Sequence, residues 1–268
     1  MKNIIFIISL LLLSACATAP MNAKKGIEAS QDLSSKKEGR NSSIKQFADV
    51  ALLESIDSMS LPKVTIADGI VNEKITQGQA ALVANRAGRD ACRQLANYFE
   101  IRLDQDNPQL NLQFVVTAIN PTNSAASGAS ALLGVMVPGP FRLPAGLGGF
   151  AADGSANDVN GNQVVMTKWS KGANAFTNDA KVSTIGDAYQ LAGSFGAFFA
   201  KLLINPDGSK SKKRSMLDKT RIENNRNLCD ARFGKASYAG RGVSIFLPLS
   251  PEAIDAGAPD SESDTPNY

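Results

Sequence analysis

The sequence predicts a single domain of the α/β class (α+β), with a mixed sheet of about five strands packed by two or three helices. Three patterns support this prediction. Residues 110–118 alternate apolar and polar side chains, which is typical of a strand with one buried face. Residues 76–99 repeat apolar side chains at every fourth position, as an amphipathic helix does. Asn160-Gly161 lies between two apolar runs, and this pair favours a tight hairpin turn.

The first residues have the form of a signal peptide. Lys2 supplies a positive charge, and an apolar run extends from Ile4 to Leu13. A run of about ten residues is too short to span a bilayer, which takes roughly 20. The run ends in Leu13-Ser14-Ala15-Cys16, which looks like the lipobox of bacterial lipoproteins. We therefore expect cleavage before Cys16 and acylation of its thiol, which anchors the chain in a membrane.

Ala17 bears on the location of this anchor. In Gram-negative lipoproteins an aspartate at this position is the usual signal for retention in the inner membrane. Its absence predicts an anchor in the outer membrane, with the protein facing the periplasm. The predicted partners are this membrane, bound through the lipid, and an envelope protein of unknown identity. A homo-oligomer stays open, and nothing indicates binding to nucleic acid.

The cysteine count predicts one disulfide. The sequence has three cysteines, and acylation uses Cys16. The remaining pair, Cys92 and Cys229, is in an oxidising compartment if the chain is exported, and an even remainder there predicts a bridge. The alternative, two reactive thiols, lacks a C-x-x-C pair and an activating histidine.

The chain contains no histidine. This removes the commonest general base and metal ligand, so Ser-His-Asp and Cys-His sites are impossible. Cysteine clusters for zinc and glycine-rich phosphate loops are missing from the sequence too. We predict no catalytic residues, no metal and no cofactor, and thus no enzyme. The remaining candidates for a carboxylate-pair hydrolase lie in or beside turns or at a helix start and are interpreted as solvated loop carboxylates: Asp104, Asp106, Asp153, Asp158, Asp179 and Asp187.

The predicted organisation begins with a signal peptide over residues 1–15. The lipidated cysteine and a disordered tether rich in Ser, Lys and Asn follow over residues 16–45. The α/β domain covers residues 46–249, and residues 250–268 form a disordered acidic tail. A weak apolar stripe over residues 44–56 predicts a helix that docks on the domain.

Within the domain, a short strand over residues 63–67 precedes the helix over residues 76–99. The next strand ends at Asn120-Pro121, because proline cannot donate to a sheet. The charged and polar side of the helix is expected to face solvent. Its members are Arg86, Arg89, Asp90, Arg93 and Gln94.

Residues 122–150 are rich in Ala, Gly and Ser and carry a single charge, Arg142. One interpretation is a small-residue helix, about residues 124–137, packed on the sheet and followed by a Pro-Gly loop. The other is an oligomer contact or a membrane-facing patch, because so long an uncharged stretch should not lie bare in water.

The hairpin follows, with strands over residues 150–157 and 163–171. A helix then begins at Ser183 or Thr184, has Asp187 in its first turn and continues to residue 203. The basic segment over residues 209–226 is interpreted as a solvated helix face, with anionic lipid heads or cell-wall polymer as the alternative partner. A last strand is predicted over residues 243–247.

These elements resemble those of the DUF3313 family, uncharacterised bacterial lipoproteins of unknown function. The resemblance covers about residues 60–205, and it supplies no catalytic residues to transfer. It rests on Val116-Thr117-Ala118-Ile119-Asn120-Pro121, on Leu147-Gly148-Gly149-Phe150-Ala151-Ala152, and on residues 169–203.

The resulting functional prediction is a membrane-anchored periplasmic lipoprotein that acts as a non-enzymatic scaffold or accessory subunit of an envelope complex. The alternative is an oligomeric channel or secretion component of the outer membrane, which uses residues 122–150 for ring contacts or insertion.

Overall fold

A computed structural model describes residues 23–36, 39, 41–123, 146–174, 183–208, 214–235, 250–255 and 257. Over these residues the chain forms one mixed sheet and five helices, which confirms the α/β class. The strands are β1 Ser34–Lys36, β2 Ser42–Ala48, β3 Ser58–Ser60, β4 Lys63–Ile66, β5 Glu100–Arg102, β6 Leu110–Asn120, β7 Gly149–Asp158 and β8 Gln163–Gly172. The helices are α1 Val50–Glu54, α2 Gln77–Leu95, α3 Gly186–Ile204, α4 Lys219–Phe233 and α5 Pro251–Ile254.

The sheet has the order β1-β2-β8-β7-β6-β3-β5, and β4 pairs with β6 farther along the β3 side. Strands β1, β2, β8, β7 and β6 pair antiparallel, whereas β3 and β4 run parallel to β6. We call the end at which β4, β6 and β8 finish the carboxyl end of the sheet. The opposite end, where β6 begins, is the amino end and carries the predicted hairpin turn at Asn160-Gly161.

The sheet has eight strands rather than about five, partly because the predicted tether folds. β2 pairs along its whole length with β8, and Ile44 is buried. Residues 34–36 and 42–45 of the predicted tether therefore lie in strands, since antiparallel pairing and a few apolar contacts order a polar segment. The helix predicted over residues 44–56 is also wrong in its first half, and only the short α1 forms.

Helix α2 begins with a capping box, in which Thr76 and Gln79 each bond the other's backbone N–H. It packs against the sheet, α3 and α4, so its buried surface is wider than one stripe. Arg89 is only 1% exposed, and its predicted place on the solvent side is wrong. Gly196 of α3 allows the close approach of the two helices, because a side chain there would collide with the Ala87 carbonyl oxygen.

Aromatic side chains fill the space between the sheet and α3. Phe114 of β6 packs edge-on against Phe195 and Phe199, with ring centroids 5.2 and 4.8 Å apart. A Cβ at Gly154 would lie 2.7 Å from the Phe199 ring. Trp169 is buried beside Phe195, so it packs in the core.

Helix α4 is mostly polar and is held by specific contacts on its inner side. Cys229 forms a disulfide with Cys92 of α2, with Cα atoms 5.8 Å apart, which is the pairing that the cysteine count predicts. One turn earlier, the Asn225 side chain accepts from the Ile101 N–H and donates to the carbonyls of Ala96 and Phe99. These hydrogen bonds satisfy backbone carbonyl groups after the end of α2 and a backbone N–H at the outer edge of β5.

The predicted disordered tail is wrong for residues 250–255. Helix α5 docks on α2, and Asp255 is buried against Arg89. A charge inside the domain orders this segment, although its composition is typical of disorder. No helix among the described ranges is long and apolar enough to cross a membrane. Several predictions lie outside the described residues: the signal peptide with Cys16, Asp179, the helix at 124–137, the loop after it up to residue 145, which contains Arg142, and the strand at 243–247.

Candidate functional site

The candidate site lies at the carboxyl end of the sheet, around the carboxylate of Asp187 in the first turn of α3. Thr122 Oγ1 donates to Asp187 Oδ2 at 3.0 Å, and the Gly148 N–H donates to the same oxygen at 2.7 Å. The Asp187 N–H in turn donates to Thr122 Oγ1 at 3.2 Å. Asp187 is fully buried, so a single carboxylate joins three parts of the chain.

Backbone hydrogen bonds extend this contact of Asp187 with Thr122 and Gly148, which we call the Asp187 junction, on both sides. Asn120 pairs with Gly149 at the last register position of β6 and β7, and the Asn123 N–H donates to the Gly146 carbonyl at 2.8 Å. The Thr122 N–H donates to the Thr184 carbonyl just before α3. The two described residues that flank 124–145, Asn123 and Gly146, therefore lie together near the buried carboxylate.

The location of Asp187 has two physical causes. A carboxylate in the first turn of a helix is stabilised by the free N–H groups and the helix dipole. Gly148 can approach it only because it has no side chain, since a Cβ there would lie 2.7 Å from Thr122 Oγ1 and 2.8 Å from the Asn120 carbonyl. The absence of a side chain at Gly148, within the Leu147–Ala152 motif, thus has a steric reason.

A second buried carboxylate, Asp153 of β7, holds the amino-terminal segment on the face of the sheet opposite α3. Asp153 accepts from the Ile27 N–H at 3.0 Å and from Lys168 Nζ at 2.9 Å. Lys168 also donates to the Ile27 carbonyl at 2.7 Å. Burial raises the pKa of Asp153 above its ordinary value, against the opposing effect of Lys168.

The same segment is bound at both of its ends. The Lys24 N–H donates to the Thr117 carbonyl at 2.7 Å, near the carboxyl end of the sheet. The Ser30 N–H donates to Gln163 Oε1 at 3.0 Å, at the start of β8. Residues 24–30 therefore cross β6, β7 and β8 diagonally.

The third buried charge cluster joins α5 to α2 and α3. Arg89 forms a bidentate ion pair with Asp255 and also donates to Tyr189 Oη, and the Tyr189 hydroxyl donates to Asp255 at 2.5 Å. Burial alone would raise the pKa of Asp255, but the hydrogen bonds from Arg89 and Tyr189 lower it below its ordinary value. Burial, and then the bond to Asp255, raise the pKa of Tyr189.

The interpretation as solvated loop carboxylates is wrong for Asp153 and Asp187, which are buried in a strand and a helix. Asp104, Asp106 and Asp158 bind nearby groups at the surface. Asp104 pairs with Lys63 at 2.6 Å, and Asp106 accepts from the Leu103 N–H. Asp158 holds the hairpin turn, and its hydrogen bonds to the Asn162 side chain and backbone lower its pKa. Within the described residues no group of three His, Cys, Asp or Glu side chains could hold a metal ion.

Two surface depressions complete the description. One of about 340 Å³ lies between α1 and the end of α3, with Glu54, Asp207 and Arg214 as its charged residues. Another of about 640 Å³ lies at the amino end of the sheet. Its carboxylates are paired, Asp57 with Arg214 at 3.3 Å and Glu100 with Arg102 at 2.8 Å. Of the six aspartates considered from the sequence, the five that the structure describes lie outside both depressions.

Comparison with known proteins gives a family and a distant likeness. A family model described as "Protein of unknown function (DUF3313)" matches residues 23–199. The PelC dodecamer from Paraburkholderia phytofirmans is 12% identical, with a TM-score of 0.39 over 60% of this chain and 96% of that chain. A variant of that dodecamer is 14% identical, with a TM-score of 0.35 over the same shares. No curated protein matches the chain.

Proposed function

The chain belongs to the DUF3313 family of proteins of unknown function, and we propose that it is a membrane-anchored periplasmic lipoprotein, a non-enzymatic scaffold or accessory subunit of an envelope complex. The observation that carries the proposal is that the buried carboxylates of the domain hold segments of its own chain. Asp153, Asp187 and Asp255 are each bound to backbone or side-chain donors that hold one segment of the chain in place.

Such carboxylates are poor catalytic groups. A general acid or base must reach a substrate proton, directly or through one water. Asp187 and Asp255 are enclosed in the domain, and Asp153 lies beneath residues 26–27. The chain also lacks histidine, the residue that most often performs this chemistry. The buried polar groups thus support a structural role.

Anchoring is supported by the amino-terminal sequence. An apolar run of about ten residues followed by Leu13-Ser14-Ala15-Cys16 fits export and acylation better than membrane spanning. Cys16→Ser, expressed in the native host, tests the anchor. The wild type should incorporate radioactive fatty acid, whereas the variant should remain an unlabelled precursor. Equal labelling of both would overturn the anchor.

The accessory role is tested by crosslinking in intact cells, followed by affinity purification of the acylated protein. We expect a defined envelope protein to be recovered with the wild type and lost with Cys16→Ser. The accessory role is contradicted if the wild type recovers no more of any envelope protein than Cys16→Ser does.

A second candidate is the oligomeric channel or secretion component of the outer membrane. The Asp187 junction favours it, because it brings both flanks of an almost uncharged segment to one point at the end of the sheet. Such a connection suits a contact with other copies or with lipid. The size of the purified lipoprotein in mild detergent separates the two, since a scaffold of one copy gives a monomer and a ring gives a multiple.

A further inference from the structure

The amino-terminal segment limits how far the domain can be from its anchor. Its first described tertiary bond joins Lys24 to Thr117, eight residues after Cys16. From there the chain is held by Asp153 at Ile27 and by Gln163 at Ser30. Most of the tether predicted from composition is thus part of the folded domain.

The remaining reach follows from covalent geometry, whatever conformation the intervening residues adopt. Eight residues span at most about 26–29 Å when fully extended. A flexible chain of that length has an r.m.s. span of about 14–17 Å. Strand β6 alone, with 11 residues, is about 35 Å long, so the tether is shorter than the sheet.

The point of attachment is close to one end of that sheet. Thr117 lies three residues before the end of β6 at Asn120. Gly69, in the loop after β4, lies beside Lys24, because a Cβ built on it would be 3.4 Å from Lys24 Nζ. If the amino end faced the bilayer, the tether would have to run back about 23 Å along β6, close to its full extension and at a large cost in chain entropy.

We infer that the carboxyl end of the sheet faces the lipid surface and that the amino end faces away from it. This inference rests on the proposed acylation of Cys16. It puts the Asp187 junction on the membrane side. The hairpin turn and the charged depression at Glu100 and Arg102 are then on the side open to a protein partner.

The test uses the full-length acylated protein in vesicles of phosphatidylcholine and phosphatidylethanolamine that carry a lipid-bound quencher. One fluorophore is attached through Val71→Cys, at the carboxyl end, or through Val159→Cys, in the hairpin turn. Both side chains are exposed, at 40% and 69%. We expect a large loss of fluorescence at position 71 and little loss at position 159.

A matched control lengthens the tether by about 20 Gly and Ser residues after Ala17, which raises its r.m.s. span to about 26–32 Å. The difference between the two positions should then shrink. Equal quenching at both positions with the native tether, stronger quenching at 159, or no quenching at either would overturn the orientation. Fatty-acid labelling of the same samples is read separately, so an unlabelled protein refutes the anchor rather than the orientation.

Discussion

Lys168 Nζ lies 2.9 Å from the carboxylate of Asp153, and the two side chains bind the carbonyl and the N–H of the same residue, Ile27. One cross-strand ion pair therefore fixes the amino-terminal segment to the sheet.

Asp153→Ala should release that segment. The Ile27 N–H loses its acceptor and half-exposed Lys168 loses its counter-charge, so we expect a loss of about 1–3 kcal/mol in unfolding free energy. Urea unfolding measures the loss, and hydrogen exchange should accelerate over residues 24–30. Exposed Asp32→Ala is the control and should change neither. Unchanged exchange at residues 24–30 would contradict the assigned role.

Asp255→Asn should change the response of stability to acid. The pKa of Asp255 in the folded state lies below its ordinary value of 3.8. The charged carboxylate therefore stabilises the folded state above pH 3.8, and this stabilisation is lost as the pH falls through the folded-state pKa. At neutral pH the variant leaves Arg89 buried without its counter-charge and should lose roughly 3–5 kcal/mol.

Below about pH 4 the gap between wild type and Asp255→Asn should narrow. The midpoints of urea unfolding of both proteins, determined from pH 7 to pH 2.5, measure this difference in stability. Parallel curves over the whole range would show that Asp255 is not the group whose pKa is lowered by folding.

The disulfide can be detected by mass spectrometry of a digest of unreduced protein taken from the envelope. We expect a peptide in which Cys92 is joined to Cys229. The bridge closes a loop with a separation of 137 residues. Its removal in a Cys92→Ala, Cys229→Ser double variant should cost about 2–5 kcal/mol. Two free thiols in the native protein would refute the pairing.

Asp187→Ala should loosen the junction, because it leaves the Gly148 N–H and the Thr122 hydroxyl buried without an acceptor. Each unsatisfied group costs about 1–3 kcal/mol. Asp187→Asn keeps one acceptor oxygen at the same volume, so its loss should be smaller. Thermal melting ranks the two variants, and equal melting temperatures would count against the junction.

Leu133→Asp separates the two interpretations of residues 122–150. If Leu133 belongs to the core, an unpaired buried charge should cost several kcal/mol, on the order of 3–5. If it forms a subunit or membrane contact, the monomer should melt normally and the assembly should be smaller. Melting and light scattering on protein made without the lipid distinguish these results. A normal melt with a changed size would defeat the core interpretation.

The strongest local patterns predicted much of the fold. The long helix, the alternating strand and the Asn160-Gly161 hairpin are all present. Which residues pair across the hairpin was harder to predict. A β-bulge at Ala156 and Asn157 shifts the register, so a count outward from the turn would pair Asp153 with Thr167 instead of Lys168. The anchor of the amino-terminal segment could not be located without that shift.

The ordered ends of the domain were hidden by their composition. Strand β2 and helix α5 contain few large apolar residues, and contacts from distant parts of the chain order them. Arg89 lies on the side of α2 that periodicity assigns to solvent, and its partner Asp255 is 166 positions later. A long-range ion pair of this kind has no local signal. The Asp187 junction could be suspected only from its helix-start position and the neighbouring Gly148-Gly149.

The Cys92–Cys229 bond also sets an order of events during export, if the chain is secreted as proposed. A polypeptide that emerges amino end first exposes Cys92 long before its partner crosses the membrane. During that interval Cys92 is a lone thiol in an oxidising compartment, and Cys16 is the sole other thiol available for a wrong pairing. The proposed acylation of Cys16 would remove that competitor, so lipid attachment would protect the oxidative maturation of the domain as well as anchor it.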